Sequence, residues 1–266
     1  MATRILPPAD PNRASHHRGP GAVAGGQERE RLARRAGIRE VVFGVQDGLL
    51  TTLGLTTGVA TATAGAAVAH TSVLIAGLVG SLAGMISMGT GAYLATSAAR
   101  DLKHAAIHKE RLELENQPEE ELVEMAAMLH ERGVPEAEAQ DIARALARHP
   151  RLWEETHIEK ELGISSQLRD SPVKDGLLMA ATFLLGAIFP VLPYVILTGL
   201  AAIVLSLVLS AVGLTVVGLL KAAVIGQKLY VGGLQVLLVG AGAALGGYIL
   251  GVLLPHAFGL HLPTAS

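Results

Sequence analysis

Apolar residues in this chain come in long blocks, without the alternation or half-faced spacing of water-soluble strands and helices. Val41 to Ala62 is apolar except for Gln46 and Asp47, and Thr71 to Ala99 carries no charged residue. A helix of about 20 apolar residues crosses a bilayer, so each block is long enough to be a span. Three more blocks follow a polar gap. They are Gly176 to Leu197, whose end Pro190 and Pro193 mark, Leu200 to Leu220, and Val231 to Leu254, ending before Pro255. The pattern predicts an all-α polytopic membrane protein with five transmembrane helices and a charged helical domain between helices two and three.

The polar gap reads as helical too. Arg100 to Asn116 extends the second span, and Gln117-Pro118 breaks it. Pro118 suits the first position of a new helix, whose N-terminus Glu119, Glu120 and Glu121 favour electrostatically. That helix ends near Arg132-Gly133, Pro135 to Arg148 forms the next, and Pro150 starts a last one through Leu162-Gly163. The expected domains are a disordered cytoplasmic tail over 1–36 and helices one and two over 37–99. The charged domain then covers 100–172, helices three to five 173–256, and an extracytoplasmic tail 257–266. Within the first tail, Gln27 to Ala36 is a candidate helix start.

Composition agrees with a membrane protein: half of the 266 residues are hydrophobic and the mean hydropathy is +0.45. A net charge of −2 offers no field for nucleic acid, and the absence of cysteine excludes disulfides and thiolate metal sites. The first 36 residues lack the apolar core of a secretory signal, although their arginines leave an organelle transit peptide open. Charge also orients the chain. Eight Arg lie in residues 1–40 and eleven Lys or Arg in 97–174, and Lys221 and Lys228 complete the set of 21. With five spans all three regions fall on one side, which the positive-inside rule makes cytoplasmic, with the C-terminus on the other side.

Candidate chemistry concentrates in the charged segment. Fourteen Glu lie between Glu110 and Glu161. The pairs Glu110/Glu113 and Glu121/Glu124 are spaced i, i+3, so each shares a helix face, and neighbouring helices would turn the pairs toward each other. Two readings stand: a solvated acidic surface, or carboxylates that hold Mg²⁺, Ca²⁺, Mn²⁺ or Fe²⁺. Glu115, Glu131, Glu136 and Glu138 fit the solvated surface. Asp47 is sharper, since an ionised carboxylate within a span costs roughly 2.5 kcal/mol or more and by default marks a function. The rival reading is a side chain near the membrane edge that snorkels or caps. Met85 and Met88, at i, i+3, are core filler or, opposite an intramembrane acid, soft ligands. His104 and His108 have a ligand spacing but no third partner on their face. Glycine pairs at i, i+4 (44/48, 54/58, 80/84 and 247/251) suit close helix packing or dimerisation. No Walker loop, dinucleotide-binding glycine pattern or nucleophile triad is present, so nothing points to an enzyme.

Three stretches together resemble the vacuolar iron transporter family of divalent-metal/proton antiporters. They are Arg39-Glu-Val-Val-Phe-Gly-Val-Gln-Asp-Gly-Leu49, Ala83-Gly-Met-Ile-Ser-Met-Gly-Thr-Gly-Ala-Tyr-Leu94, and the double glutamate pattern ending in Glu159-Lys-Glu-Leu-Gly163. With the five-span layout, the likeness covers about residues 38–254. It implies a homodimer with its ion path between protomers, Asp47 and Met88 along that path with Met85 in reserve, and Glu40 near the cytoplasmic mouth. It also implies that Glu110, Glu113, Glu121, Glu124 and Glu161 are ligands in a cytoplasmic metal-binding domain. Two positions depart from the family pattern. Gly80 stands where some members carry a Glu, which bears on proton coupling. His157-Ile158 stands where some carry Met-Met, which bears on metal preference.

The expected activity is export of Fe²⁺, with Mn²⁺ or Zn²⁺ as further cargo, from the cytoplasm against inward proton flow, with no resident cofactor. The membrane is the plasma membrane of a bacterium or the vacuolar membrane of a eukaryote. The rival of another class is a membrane-anchored metal sensor or buffer; an anchor has no use for Asp47.

Overall fold

A computed structural model describes residues 20–160, 163 and 171–259, with side chains from residue 37 onward, Arg39 apart. Every regular element among them is a helix. The order is α1 (Pro20–Ala62), α2 (Ala69–Asn116), α3 (Pro118–Glu131), α4 (Glu136–Ala147), α5 (Pro150–Lys160), α6 (Pro172–Ile196), α7 (Gly199–Ile225) and α8 (Leu229–Phe258). The breaks fall where the chemistry of the chain puts them. Pro118 opens α3, Gly133 turns out of it at φ 95°, and Gly226 and Gly259 end α7 and α8 in left-handed conformations.

Prolines 190 and 193 sit inside α6, which runs to Ile196, close to the expected end of that block at Leu197, whereas Pro255 sits inside α8, which continues past the expected end to Phe258. Ser206 on α7 donates a hydrogen bond of 2.7 Å to the Pro190 carbonyl, tying α6 to its neighbour. The region of the expected first tail also differs, since α1 starts at Pro20. Residues 1–19 and 260–266 lie outside the described residues.

The chain divides into two compact units, one of residues up to Ser81 with Thr182 onward, the other Leu82–Ala181. In the first unit α1 packs along α7 and α8, and α7 along α8. Its centre is Leu49, Leu53, Leu214, Val217 and Val236, with Phe189 and Val45 against them. Glycine makes the close approaches possible. A Cβ on Gly48 would collide with the Phe183 carbonyl of α6, and one on Gly186 with the Val45 carbonyl of α1. Along α1 and α8, Gly54 and Gly58 face the carbonyls of Ala243 and Gly247, and Gly247 and Gly251 face those of Gly54 and Gly58. These small-residue pairs therefore serve packing within one protomer. The outside of this unit is apolar, with Leu200, Leu238, Leu253 and many others exposed.

Among the described residues, four helices (α2, α6, α7 and α8) are long and apolar enough to cross a membrane. Residues 41–62 of α1 are helical throughout, but Gln46, Asp47 and five threonines lower their apolarity.

In the second unit α3 packs on α4 and α4 on α5. Met125, Ala126, Ala139, Ala143 and Trp153 form its core, lined by Leu114, Leu122 and Leu146 among others. Ala139 and Ala143 are one turn apart on α4, and their small side chains admit Met125 and Trp153 into the core.

Candidate metal centre

The inward stripe of α2 beyond the apolar block runs through Ile107, Glu110 and Leu114, at spacings of three and four. On α3 it runs through Glu121, Met125 and Leu129. On α5 it runs through Trp153 and His157. Two of these stripes place a carboxylate, and one an imidazole, where the pattern otherwise calls for an apolar residue. Glu110, Glu121 and His157 meet there, each offering a donor atom within 4.8 Å of the others. His157 Nδ1 lies 3.2 Å from Glu110 Oε1 and 3.4 Å from Glu121 Oε2. His157 is 0 %, Glu110 2 % and Glu121 5 % exposed. The Trp153 ring meets the imidazole edge-on, with centroids 4.3 Å apart and an interplanar angle of 66°, and fixes its orientation.

Burial sets the electrostatics. Taking an ion out of water costs several kcal/mol unless opposite charge compensates. Two carboxylates and an imidazole enclosed together are donor types that suit a divalent cation.

The other acidic residues are placed differently. Glu113 pairs with Lys109 on its own helix at 2.9 Å, half-exposed. Glu124 is exposed and borders a shallow pocket of about 490 Å³ with Met128, Glu131, Arg132 and Lys160. Glu161 lies outside the described residues. Glu115, Glu131, Glu136, Glu138, His104 and His108 are all exposed, in keeping with a solvated surface. Of the two i, i+3 pairs, the structure thus draws in the first member of each.

In the first unit Asp47 is half-buried on α1, one residue before the close contact at Gly48, and hydrogen-bonds Thr51 one turn on. Glu40 is half-buried two turns earlier. Gly80 of α2 packs against the Leu55 side chain, so a larger residue there would have to displace Leu55. In the second unit Met85 and Met88 are half-buried on α2. There too Gly89 of α2 approaches Gly176 of α6, and Thr96 donates to Asp175 Oδ2 at 3.1 Å. Asp175, expected before the third span, is in the first turn of α6.

His157 is the residue that spacing alone does not find. In the sequence it stands out as a departure from the family pattern and by its place, four residues after the only tryptophan and on the same helix face.

Comparison with known proteins was made against this geometry. The model of the VIT family matches residues 38–252. "Vacuolar iron transporter 1" of Arabidopsis thaliana is 29% identical over 220 residues, 82% of this chain and 86% of that protein. "Vacuolar iron transporter 2" of Oryza sativa subsp. japonica is 30% identical over 205 residues, 77% and 82% of the two chains. A "Vacuolar iron transporter" of Acanthamoeba castellanii is 31% identical over 171 residues, 64% and 60%.

Proposed function

Because this chain belongs to the VIT family, we propose that it is a membrane transporter that carries Fe²⁺, with Mn²⁺ and Zn²⁺ as further cargo, out of the cytoplasm in exchange for protons. The observation that carries this reading is the buried Glu110–Glu121–His157 cluster, of which Glu110 stands on α2, a helix that is also a candidate span. At 1.5 Å per residue, Glu110 lies about 33 Å beyond Met88 along α2. One continuous rod thus carries both a capture site and a potential ligand within the apolar block.

In this reading 41–62 of α1 is a fifth span, for which the one-sided distribution of Lys and Arg speaks. Residues 100–172 are then a cytoplasmic metal-binding domain, and the chain ends on the far side. Glu40 guides ions toward the bilayer, and Asp47 receives them with Met88, or Met85 one turn away. Two copies pair, so two Asp47 carboxylates face one divalent ion. Glu113, Glu124 and Glu161 bind or funnel ions around the buried cluster. The relatives' names place those proteins at the vacuole, and a vacuolar or bacterial plasma membrane suits this chain equally.

The test is flux in proteoliposomes. Fe²⁺ added outside should enter vesicles and shift the lumenal pH, read with an entrapped dye. Metal entry without a pH change would refute proton exchange, and no metal entry would refute transport. A reporter at Ser266 active only in the cytoplasm would refute the five-span arrangement.

A further inference from the structure

We propose that the imidazole of His157 sets the metal preference of this chain, making the buried cluster a three-ligand site that ranks Zn²⁺ well ahead of Mn²⁺. The inference rests on reading Glu110, Glu121 and His157 as a metal-holding site, and goes beyond it by assigning selectivity to one side chain.

The geometry points to a small, borderline ion. The ring nitrogen stands 3.2 and 3.4 Å from the two carboxylate oxygens. Two donors on a tetrahedral ion with bonds of about 2.0–2.1 Å lie roughly 3.3–3.4 Å apart, close to these two separations, and the donor atoms of all three residues lie within 4.8 Å of one another.

Burial narrows the choice. Mg²⁺ keeps several waters and Ca²⁺ takes six to eight oxygens. With His157 fully enclosed and both glutamates nearly so, little room remains for such a shell. Zn²⁺ binds with three protein ligands and one further position.

Donor chemistry then decides the order. A nitrogen ligand favours the later first-row ions, and affinity rises from Mn²⁺ through Fe²⁺ and Co²⁺ toward the end of the row, with Zn²⁺ above Mn²⁺. A site of carboxylates alone separates these ions less. The Trp153 contact matters here, since a ring held in place loses little freedom when it binds.

The experiment uses the full chain in detergent, loaded with at most one equivalent of metal. Competition against a chromophoric chelator measures Zn²⁺ and Mn²⁺ affinities for wild type, His157→Gln and Glu110→Gln. The wild type should favour Zn²⁺ by about a hundredfold. His157→Gln should lower Zn²⁺ affinity at least about tenfold, the low end for perturbing a metal's ligand set, and move Mn²⁺ affinity less than about threefold. Glu110→Gln should weaken both ions. A Zn²⁺-to-Mn²⁺ ratio unchanged by His157→Gln, with Glu110→Gln still weakening both, would overturn the role of His157 and leave the metal site standing. Wild-type affinities in Glu110→Gln would overturn the site itself. X-ray absorption at the zinc edge of the loaded wild type needs no variant. Scattering from an imidazole should be present, and its absence overturns the proposal even if His157→Gln fails to fold.

Discussion

The two units bury polar groups in opposite ways. In the first, hydroxyls such as those of Thr56, Ser81 and Thr215 bond back to their own helices, to the carbonyls of Thr52, Gly77 and Ala211 at 2.8, 2.6 and 2.7 Å, and Ser206 bonds across to the Pro190 carbonyl. These bonds are neutral, and most are local to one helix. In the second, three titratable side chains from three helices are driven to one point. Hydroxyls in an apolar medium are met by such bonds, whereas the enclosed carboxylates and imidazole form a set of donor types that suits a divalent cation. Asp47 is an exception in the first unit, a charged type in the otherwise uncharged 41–62 stretch of α1.

Breaking the charged point should have the largest effect. Glu110→Gln with Glu121→Gln removes two of three donors, and affinity for one buried Zn²⁺ should fall at least about a hundredfold by calorimetry.

Breaking the apolar unit should act through sterics. Gly48→Leu drives a side chain into the Phe183 backbone, which cannot yield as a side chain can. A loss near the upper end of overpacking, about 3 kcal/mol, is expected as a lower Tm in detergent. Gly242→Leu, at a position with open space, should change Tm by less than a degree or two. Equal effects would remove the glycine seams from the account.

The smallest effects should come from the outer glutamates. Glu113→Gln and Glu124→Gln should each change affinity at the buried cluster by less than about threefold, since one pairs with Lys109 and the other is exposed. A loss as large as that of Glu110→Gln would mean that the ligand set is wider than the three residues brought together here.

Much of this was legible in the chain. The helix breaks at Pro118, Gly133 and Pro150 follow from local backbone chemistry. The i, i+3 pairs were half informative for a geometric reason. A step of three residues turns back by about 60° on a helix, and a step of four turns forward by about 40°. The buried stripes advance through the i+4 residues Leu114 and Met125, which leaves Glu113 and Glu124 on the outer flank. Which flank faces inward depends on α4 and α5, and sequence spacing within one helix does not contain it. His157 stands out in the sequence as a departure from the family pattern, but its place beside Glu110 and Glu121 was hidden because those partners lie far away along the chain. Pro255 misled because the cost of a proline in a helix depends on surroundings that only packing reveals.

The most direct test separates capture from passage. Wild type and Asp47→Asn, reconstituted in liposomes at equal density, would be compared for Fe²⁺ flux and, in detergent, for metal affinity. The proposed mechanism predicts that flux falls to the level of empty liposomes while affinity stays within about twofold, because Asp47 is the only acid in residues 41–99 and the buried cluster is untouched. Wild-type flux in Asp47→Asn would contradict it.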